Sequence, residues 1–256
     1  MIAGIIQART ASTRLPNKIL LKACGKTMLE LMIERVMRAK KLDKILIATT
    51  VNKKDDVIEN FCNDNNLEYF RGSHENVLSR YKKAADQIGA GIIVRLSSDC
   101  PLIDPLVIDR VVTTYLEKDY DFVNNRCPNP STYPDGTSVE VFSVQLLNET
   151  NSLAKKPSER EHVTFFMWMQ PERYKVYRLD YVSDLSKYRL NLDYWEDYLL
   201  IKSVFEGLYP TNPSFTMEDV IGWLDKHPDV KKLNAHIKPN LGWQKSFEKD
   251  KEMGFD

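Results

Sequence analysis

Short apolar segments rich in β-branched residues alternate with segments of helical spacing in the first half of the chain, and this alternation constrains the fold more than any other feature. Predicted strands occupy residues 4–7, 44–49, 67–70, 91–96 and 121–124. Predicted helices occupy residues 28–39, 55–65, 77–88 and 105–118. Such alternation implies a largely parallel sheet with helices on both faces. The predicted fold class is therefore α/β, in a three-layer α/β/α arrangement around a mixed, mostly parallel sheet.

The second half changes rhythm after a polar loop at residues 124–136, which contains three prolines. Long loops in compact domains are often functional. Predicted strands follow at residues 137–142, 174–179 and 189–192. Predicted helices follow at residues 143–153, 159–169, 195–208 and 217–226. We interpret residues 1–210 as one domain and residues 211–256 as a helical extension, whose charged tail from residue 244 is expected to fray.

Charge and apolar patterning exclude several classes of protein. Lys and Arg total 36, as do Asp and Glu, so bulk positive charge does not indicate a nucleic-acid partner. No apolar stretch approaches the ~20 residues that span a membrane, and no signal peptide is recognised. None of the four cysteines forms a CxxC pair, which argues against zinc and thioredoxin-like sites. We expect a cytoplasmic protein with reduced thiols and no membrane partner.

A basic loop follows the first predicted strand and contains Arg9, Arg14 and Lys18 among small residues. Ligands of open α/β sheets bind beyond the carboxyl ends of the strands. The backbone N–H groups and cations of such a loop can hold phosphate oxygens there. From position and charge alone, a phosphate site and a solvated basic loop are equally good interpretations. The sequence has no GxGxxG motif, and Leu20 stands where a P-loop would need its first glycine.

The loop segment IIQARTASTRLPNKIL, residues 5–20, is long enough to be recognisable. It resembles the signature of the cytidylyltransferases that activate 3-deoxy-manno-octulosonate and acylneuraminates, most closely the branch named after spore coat polysaccharide biosynthesis protein F. The resemblance implies a nucleotide-diphospho-sugar transferase-like fold, CTP as the nucleotide and a homodimer. It implies that Arg14 and Lys18 hold the outgoing pyrophosphate. The residues that it implies for nucleoside triphosphate binding are Gln7, Ala8, Arg9, Arg14 and Lys18.

Asp99 follows the clearest predicted strand, at the sheet edge that also carries the basic loop. A carboxylate there can hold Mg²⁺ against a triphosphate. The alternative role, a helix N-cap, suits Asp104 better because it directly precedes Pro105. The segment SSDCPLID resembles the family's G-D-x-P-L motif, with Ser98 in place of glycine. The segment LNLDYWED resembles the family's L-D-x-x-E-D-L segment, and this resemblance implies Asp193 as a second Mg²⁺ ligand.

Three further segments match the same branch. GSHENVLSRY resembles its G-S-x-x-x-V-L-x-R-Y motif and implies that Arg80 contacts nucleotide or acceptor, although alone Arg80 would be an ordinary helix-surface cation. TYPDGTSVEVF resembles T-Y-P-x-G-x-x-V-E-V-F and implies an acceptor site with Tyr133 and Asp135. EHVT adds His162 as a site candidate, against the usual structural role of a lone histidine. Arg126, in the same loop as Tyr133, would suit a carboxylate or phosphate on the acceptor.

The leading interpretation is a Mg²⁺-dependent nucleotidyltransferase whose catalytic residues are Arg14, Lys18, Asp99 and Asp193. An oxygen of a sugar acid or of a phosphorylated sugar or polyol would attack the α-phosphorus of CTP, for surface polysaccharide or glycoconjugate synthesis. The alternative enzyme is a glycosyltransferase of GT-A-like fold. The DYD triplet at residues 119–121 has the letters of its metal motif but precedes a strand instead of following one. A non-catalytic binding protein would have lost a catalytic residue, and all four are present.

Overall fold

A computed structural model describes residues 1–238 and 241–255, and in this part of the chain seven strands form a central sheet beside a two-stranded hairpin. The strands, numbered along the chain, are β1 (Ile2–Gln7), β2 (Lys22–Ala23), β3 (Lys26–Thr27), β4 (Lys44–Thr50), β5 (Glu68–Gly72), β6 (Ile92–Ser97), β7 (Phe122–Asn124), β8 (Glu140–Ser143) and β9 (Val176–Arg178). The hairpin consists of β2 and β3. The other strands make up the sheet.

The sheet has the order β5-β4-β1-β6-β8-β7-β9. Every neighbouring pair is parallel except the two pairs that include β8. The carboxyl ends of β1, β4 and β6 therefore lie at one edge of the sheet, together with the amino end of β8. This mixed, mostly parallel sheet confirms the predicted fold class.

Helices cover both faces of the sheet. They are α1 (Met28–Val36), α2 (Asp56–Asp64), α3 (Val77–Ile88), α4 (Pro105–Glu117), α5 (Val144–Leu153), α6 (Pro157–His162), α7 (Phe165–Trp168), α8 (Trp195–Leu208), α9 (Met217–Lys226), α10 (Pro228–Lys231) and α11 (Leu241–Glu252). One face buries Met32 of α1 and Ile108 of α4, and the other buries Leu78 of α3. Because successive strand residues point to opposite faces, β1 gives Ile6 to the first core and Ile5 to the second.

A third core lies around α8, and the chain beyond residue 210 takes part in it. Phe215 and Leu224 are buried there together with Ile201 of α8. The tail that was expected to fray from residue 244 belongs to α11 as far as Glu252, and Asp256 lies outside the described residues. No helix within residues 1–238 and 241–255 is both long and apolar enough to cross a membrane.

Three predicted elements are wrong in detail. Residues 189–192 do not form a strand, because only Arg189 makes an isolated bridge, to Asp135. The apolar alternation in that segment has another cause: its leucines are buried in the core around α8. The predicted helix over residues 159–169 is broken at Val163, whose φ of 60° is left-handed, so α6 and α7 are separate. The strand expected from residue 137 begins only at Glu140.

Candidate active site

A cleft of about 1090 Å³ opens at the sheet edge where β1 and β6 end and β8 begins. Single-ligand pockets usually measure about 300–1,000 Å³, so this cleft has room for a nucleotide and a second ligand. In the described part of the chain, eleven Lys or Arg residues and five Asp or Glu residues line it. The chain as a whole has no formal net charge. Positive charge is therefore concentrated in the cleft, which favours anionic ligands.

The basic loop after β1 forms one wall of this cleft and is held from below by a buried carboxylate. Asp55 is fully buried and accepts hydrogen bonds at 2.7 Å from both the backbone N–H and the hydroxyl of Thr10. The backbone N–H groups of Ser12 and Asn17 both donate to the Thr10 carbonyl, at 3.0 Å. These contacts fix the loop shape that presents Arg14. No sequence motif marks Asp55, because only the tertiary fold brings it under the loop.

Two of the three loop cations, Arg14 and Lys18, meet the two predicted aspartates in this cleft. Arg14 Nη2 lies 2.5 Å from Asp193 Oδ1, and Lys18 Nζ lies 2.8 Å from the same oxygen. Lys18 Nζ also lies 3.7 Å from Asp99 Oδ2. Since one nitrogen reaches both carboxylates, those two oxygens are at most 6.5 Å apart. Residues from distant parts of the sequence thus form one compact cluster of charges.

Asp193 is ionised in this environment. Burial by itself would raise the pKa of its carboxyl, but the nearby charges of Lys18 and Arg14 outweigh burial and hold the pKa below the ordinary value. Asn191 Nδ2 also donates to Asp193 Oδ2 at 2.7 Å. The backbone N–H of Leu192 donates to the Asp99 carbonyl at 2.8 Å, which ties the two aspartate-bearing segments together.

A second carboxylate, Asp197, orients the segment that carries Asp193. Asp197 is fully buried at the start of α8 and accepts from the backbone N–H groups of Asp193 and Tyr194, at 3.0 and 2.9 Å. Arg189 and Asn234 donate to the same side chain. Asp197 therefore has a structural role, because all of these contacts are internal to the fold.

The two aspartates have the chemistry of a magnesium site. In the described residues, no group of three or more His, Cys, Asp or Glu side chains is close enough to form a metal site of protein ligands alone. Mg²⁺ is usually bound by one or two carboxylates together with substrate phosphates. Asp99 and Asp193 supply two such carboxylates, and the Lys18 ammonium between them indicates a position that suits positive charge.

The remaining residues predicted to bind nucleotide also line the cleft: Gln7, Ala8, Arg9 and Arg80. Gln7 ends β1, and its side chain is held by Ser97 Oγ and by the Arg95 guanidinium, each at 3.2 Å. Arg80 is not an ordinary surface cation: it is 2% exposed and donates to the Ser73 carbonyl at 2.6 Å. Burial lowers the pKa of Arg80 to about 10, which leaves it charged at neutral pH.

Three of the four residues predicted to bind the acceptor line the cleft as well. Arg126 and Asp135 form an ion pair of 2.8 Å. His162 lies 2.8 Å from the Ser246 hydroxyl, and burial lowers the pKa of His162 to about 3, with Arg95 and Arg9 adding to the effect. His162 is therefore neutral at physiological pH.

Tyr133 is the exception among the four, because it is buried in the core and does not line the cleft. It is 2% exposed and belongs to the core, where its ring packs edge-on against Tyr181 at 5.3 Å. The apolar ring is buried because the loop folds back onto the sheet, so Tyr133 does not reach the cleft.

The DYD triplet at residues 119–121 lies away from this site. Asp121 directly precedes β7, whose amino end is at the opposite edge of the sheet from the carboxyl ends of β1 and β6. Asp119 is exposed and forms an ion pair of 2.5 Å with Lys175. The metal motif expected of a glycosyltransferase is therefore absent from the cleft.

Several further residues of the cleft lie outside the predicted site residues. Arg95 of β6 and Glu140 of β8 are cross-strand neighbours and form an ion pair of 2.6 Å at the floor of the cleft. Trp243, Lys245, Ser246 and Lys249 reach the cleft from α11. No motif marks these positions, and their proximity to the cleft comes only from how the helix packs.

An α/β sheet with a cationic cleft at the carboxyl ends of its strands is typical of a nucleotide-binding protein. Residues 3–202 match the model of the cytidylyltransferase family, so the chain belongs to this family.

Relatives and solved structures agree with this family. The chain is 35% identical to an uncharacterized protein of Methanocaldococcus jannaschii, over 98% of this chain and 99% of the relative. It is 31% identical to spore coat polysaccharide biosynthesis protein SpsF of Bacillus subtilis, over 90% of this chain and 96% of the relative. A solved cytidylyltransferase structure from Leptospira borgpetersenii superposes with a TM-score of 0.85 at 34% identity. That match covers 90% of this chain and 96% of the solved one.

Proposed function

We propose that this protein transfers CMP from CTP to a sugar acid or to a phosphorylated sugar or polyol, with release of pyrophosphate. The observation that carries the proposal is the convergence of Arg14 and Lys18 with Asp99 and Asp193 inside a cleft of net positive charge. Phosphoryl and nucleotidyl transfer depend mostly on positioning and charge neutralisation, and this cluster supplies both. Membership of the cytidylyltransferase family favours CTP as the nucleotide.

In the proposed reaction the hydroxyl oxygen of a sugar acid, which gives up its proton to solvent, or a phosphate oxygen of a phosphorylated sugar or polyol attacks the α-phosphorus of CTP. The bond from the α-phosphorus to the oxygen that bridges it to the β-phosphorus breaks, and pyrophosphate leaves with that oxygen. Arg14 and Lys18 neutralise the charge that accumulates on the leaving pyrophosphate, because they are the two cations of the loop that lie beside Asp99 and Asp193. Asp99 and Asp193 would hold Mg²⁺, which withdraws charge from the phosphate oxygens when it is bound. Arg126, Asp135 and His162 lie on the side proposed for the acceptor.

The proposed biological role is the supply of an activated sugar or sugar acid for surface polysaccharide or glycoconjugate synthesis. The similarity to the spore coat polysaccharide biosynthesis protein supports this role. We further propose that the protein is cytoplasmic and forms a homodimer. The family resemblance implies the dimer, and light scattering coupled to size-exclusion chromatography tests it directly.

A substrate screen tests the proposed activity. The protein is mixed with CTP, UTP, GTP or ATP and Mg²⁺, each against a panel of sugar acids, sugar phosphates and polyol phosphates. Pyrophosphate release is then measured. We expect release with CTP and an anionic acceptor, and none when either is omitted. Release with a different nucleotide would correct the nucleotide assignment, and no release from any pair would refute the proposal.

A further inference from the structure

The unpaired positive charge of the cleft falls into two groups. Five of its eleven cations form ion pairs with carboxylates, namely Arg14, Lys18, Arg95, Arg126 and Arg189. In the described part of the chain, the other six have no carboxylate within 4 Å. These are Arg9, Lys54 and Arg80 around the basic loop, and Lys238, Lys245 and Lys249 of the C-terminal segment. The C-terminal segment therefore adds a separate source of net positive charge.

Helix α11 presents two different faces to the rest of the molecule. Gly242, Lys245, Ser246 and Lys249 line the cleft, and their spacing of three and four residues places them on one face of a helix. Phe247 and Asp250 are on the neighbouring face, about 100° around the helix axis, and Trp243 lies beside them while it also lines the cleft. That second face contacts α6 and α7. One face thus fixes the helix while the other directs two exposed lysines into the cleft.

Both polar and aromatic contacts hold helix α11 in place. The buried Asp250 carboxylate accepts from the backbone N–H of Ser158 at 2.9 Å and from its hydroxyl. Ser246 Oγ lies 2.8 Å from His162 Nε2 and donates to Glu161 Oε2 at 3.2 Å. These contacts bind α11 to α6 in the middle of the cleft-facing stretch and just beyond its end, so Lys245 and Lys249 are carried on a positioned element.

The aromatic contacts place α11 beside the proposed acceptor side. Trp243 packs edge-on against Phe165 with ring centroids 5.2 Å apart, and the Arg126 guanidinium lies 5.8 Å from the Trp243 ring. Phe247 stacks on the same phenylalanine at 5.3 Å. Arg126 is already paired with the Asp135 carboxylate, so this pair contributes no net charge toward an anionic acceptor.

We propose that α11 completes the acceptor site, and that Lys245 and Lys249 bind the anionic group of the acceptor, a carboxylate or a phosphate. This inference rests on the proposed function and adds to it the residues that select an anionic acceptor. The match to the family model ends at residue 202, well before α11, so this helix is an element through which acceptor choice can differ from that of other members. The triphosphate has its own cations around the basic loop.

Steady-state kinetics separate the two ligands. The parent, Lys245→Ala, Lys249→Ala and the double variant are compared in the pyrophosphate-release assay with the best acceptor found in the substrate screen. Lys251→Ala is the matched control, because Lys251 is an exposed lysine of the same helix on the opposite face. We expect the acceptor KM of the double variant to rise about tenfold or more, with the CTP KM within about twofold of the parent and Lys251→Ala unchanged. Sugar acids and sugar phosphates are assayed separately. The acceptor class whose KM rises more in the double variant identifies the anionic group that the lysines bind.

Two kinetic results would overturn the inference while leaving the proposed function intact. One is a rise in the CTP KM of the double variant with no change in the acceptor KM, which would assign the lysines to the triphosphate. The other is an acceptor KM and a CTP KM of the double variant that both equal those of the parent.

A binding measurement covers the case in which the parent shows no turnover at all, which would refute the proposed function. Sugar acids and sugar phosphates are titrated without nucleotide while tryptophan fluorescence is followed. An anion site on α11 is supported if the fluorescence change disappears in Trp243→Phe and if the double lysine variant needs a higher anion concentration to reach half of that change. No response to any anion in the parent would overturn it.

Discussion

Replacing Lys18 with methionine tests how much the cluster of opposite charges contributes to stability. Methionine keeps most of the length of the side chain and removes the ammonium group that lies between Asp99 and Asp193. Their oxygens are at most 6.5 Å apart. At that separation and an effective dielectric constant of about 20, the two carboxylates repel each other by about 2.5 kcal/mol, and Lys18 offsets this repulsion in the parent but not in the variant. The Lys18 and Asp193 side chains are only 11% and 10% exposed, so solvent screens this repulsion incompletely. We expect Lys18→Met to lower the free energy of unfolding by about 2–3 kcal/mol at pH 7.5.

The same substitution should be pH-dependent in a defined direction. In the parent, the pKa of Asp193 lies below its unfolded value, so its ionised form contributes stability above the unfolded pKa that is lost as the pH falls through the folded pKa. Without Lys18, burial and Asp99 are opposed by Arg14 and by Arg189, whose Nη2 lies 3.6 Å from Asp193 Oδ2, and we expect the pKa of Asp193 to rise. Asp193 then takes up a proton as the pH is lowered, and the loss of stability relative to the parent shrinks below about pH 5.

Urea denaturation of parent and variant at several pH values measures both effects. Lys22→Met is the control, because Lys22 is an exposed lysine of the β2–β3 hairpin, and its loss should change stability by less than about 0.5 kcal/mol. Adding Mg²⁺ should stabilise Lys18→Met more than the parent, since the ion replaces the missing positive charge. If Lys18→Met were as stable as the parent at pH 7.5, or if its deficit did not depend on pH, the electrostatic account of the cluster would be refuted.

Four further substitutions probe the site and its supports. Arg14→Ala should weaken CTP binding by about 1.5–3 kcal/mol in isothermal titration, through loss of a charge-assisted phosphate contact; unchanged affinity would exclude the loop as the phosphate site. Asp99→Asn should reduce kcat at least ~100-fold with little change in the urea midpoint, and a variant that retains turnover would contradict a catalytic Asp99. Arg126→Ala should raise the acceptor KM more than the CTP KM, and equal changes in both would argue against an acceptor contact. Asp104→Asn should cost about 1–3 kcal/mol of stability and leave turnover unchanged, because an asparagine side chain has one oxygen while the two oxygens of Asp104 accept from Leu106 and Met217 N–H groups.

Strand and helix periodicity predicted most of the fold, because a strand covered by helices on both faces is apolar throughout and a helix packed on the sheet has apolar residues along one side. The segment Ile92–Ser97 is apolar enough to be identified as a central strand, and it is one. The pattern failed where apolar residues are buried without strand pairing, as at Leu190 and Leu192. It also failed at Val163, whose left-handed backbone divides the helix predicted over residues 159–169 into two.

Sequence motifs predicted the central charges of the site but not the groups that hold them. The segments carrying Arg14 and Lys18 and those carrying Asp99 and Asp193 matched family motifs, and the structure brings the four side chains together. Asp55 carries no such signal, because it supports the basic loop from a distant segment.

Helix α11 was overlooked for a different physical reason. Its anchoring contacts and its lysines are on adjacent faces, so no continuous apolar stripe marks the segment as a packed helix. The residue pattern therefore predicts a charged tail that frays, not a packed helix. The loop residue Tyr133 is the converse case: it lies within a segment that matches a family motif, but its side chain is buried in the core.

The most direct test of the central claim is a ³¹P NMR spectrum of the protein mixed with CTP, Mg²⁺ and the acceptor chosen by the screen. We predict that the triphosphate signals decline while pyrophosphate and one new product grow in a one-to-one molar ratio: a phosphodiester from a sugar acid, or a diphosphate from a phosphorylated sugar or polyol. This result requires that the α-phosphorus has been transferred to the acceptor. Formation of CDP or orthophosphate in place of pyrophosphate, or CTP that stays intact with every acceptor, would contradict nucleotidyl transfer by this cleft.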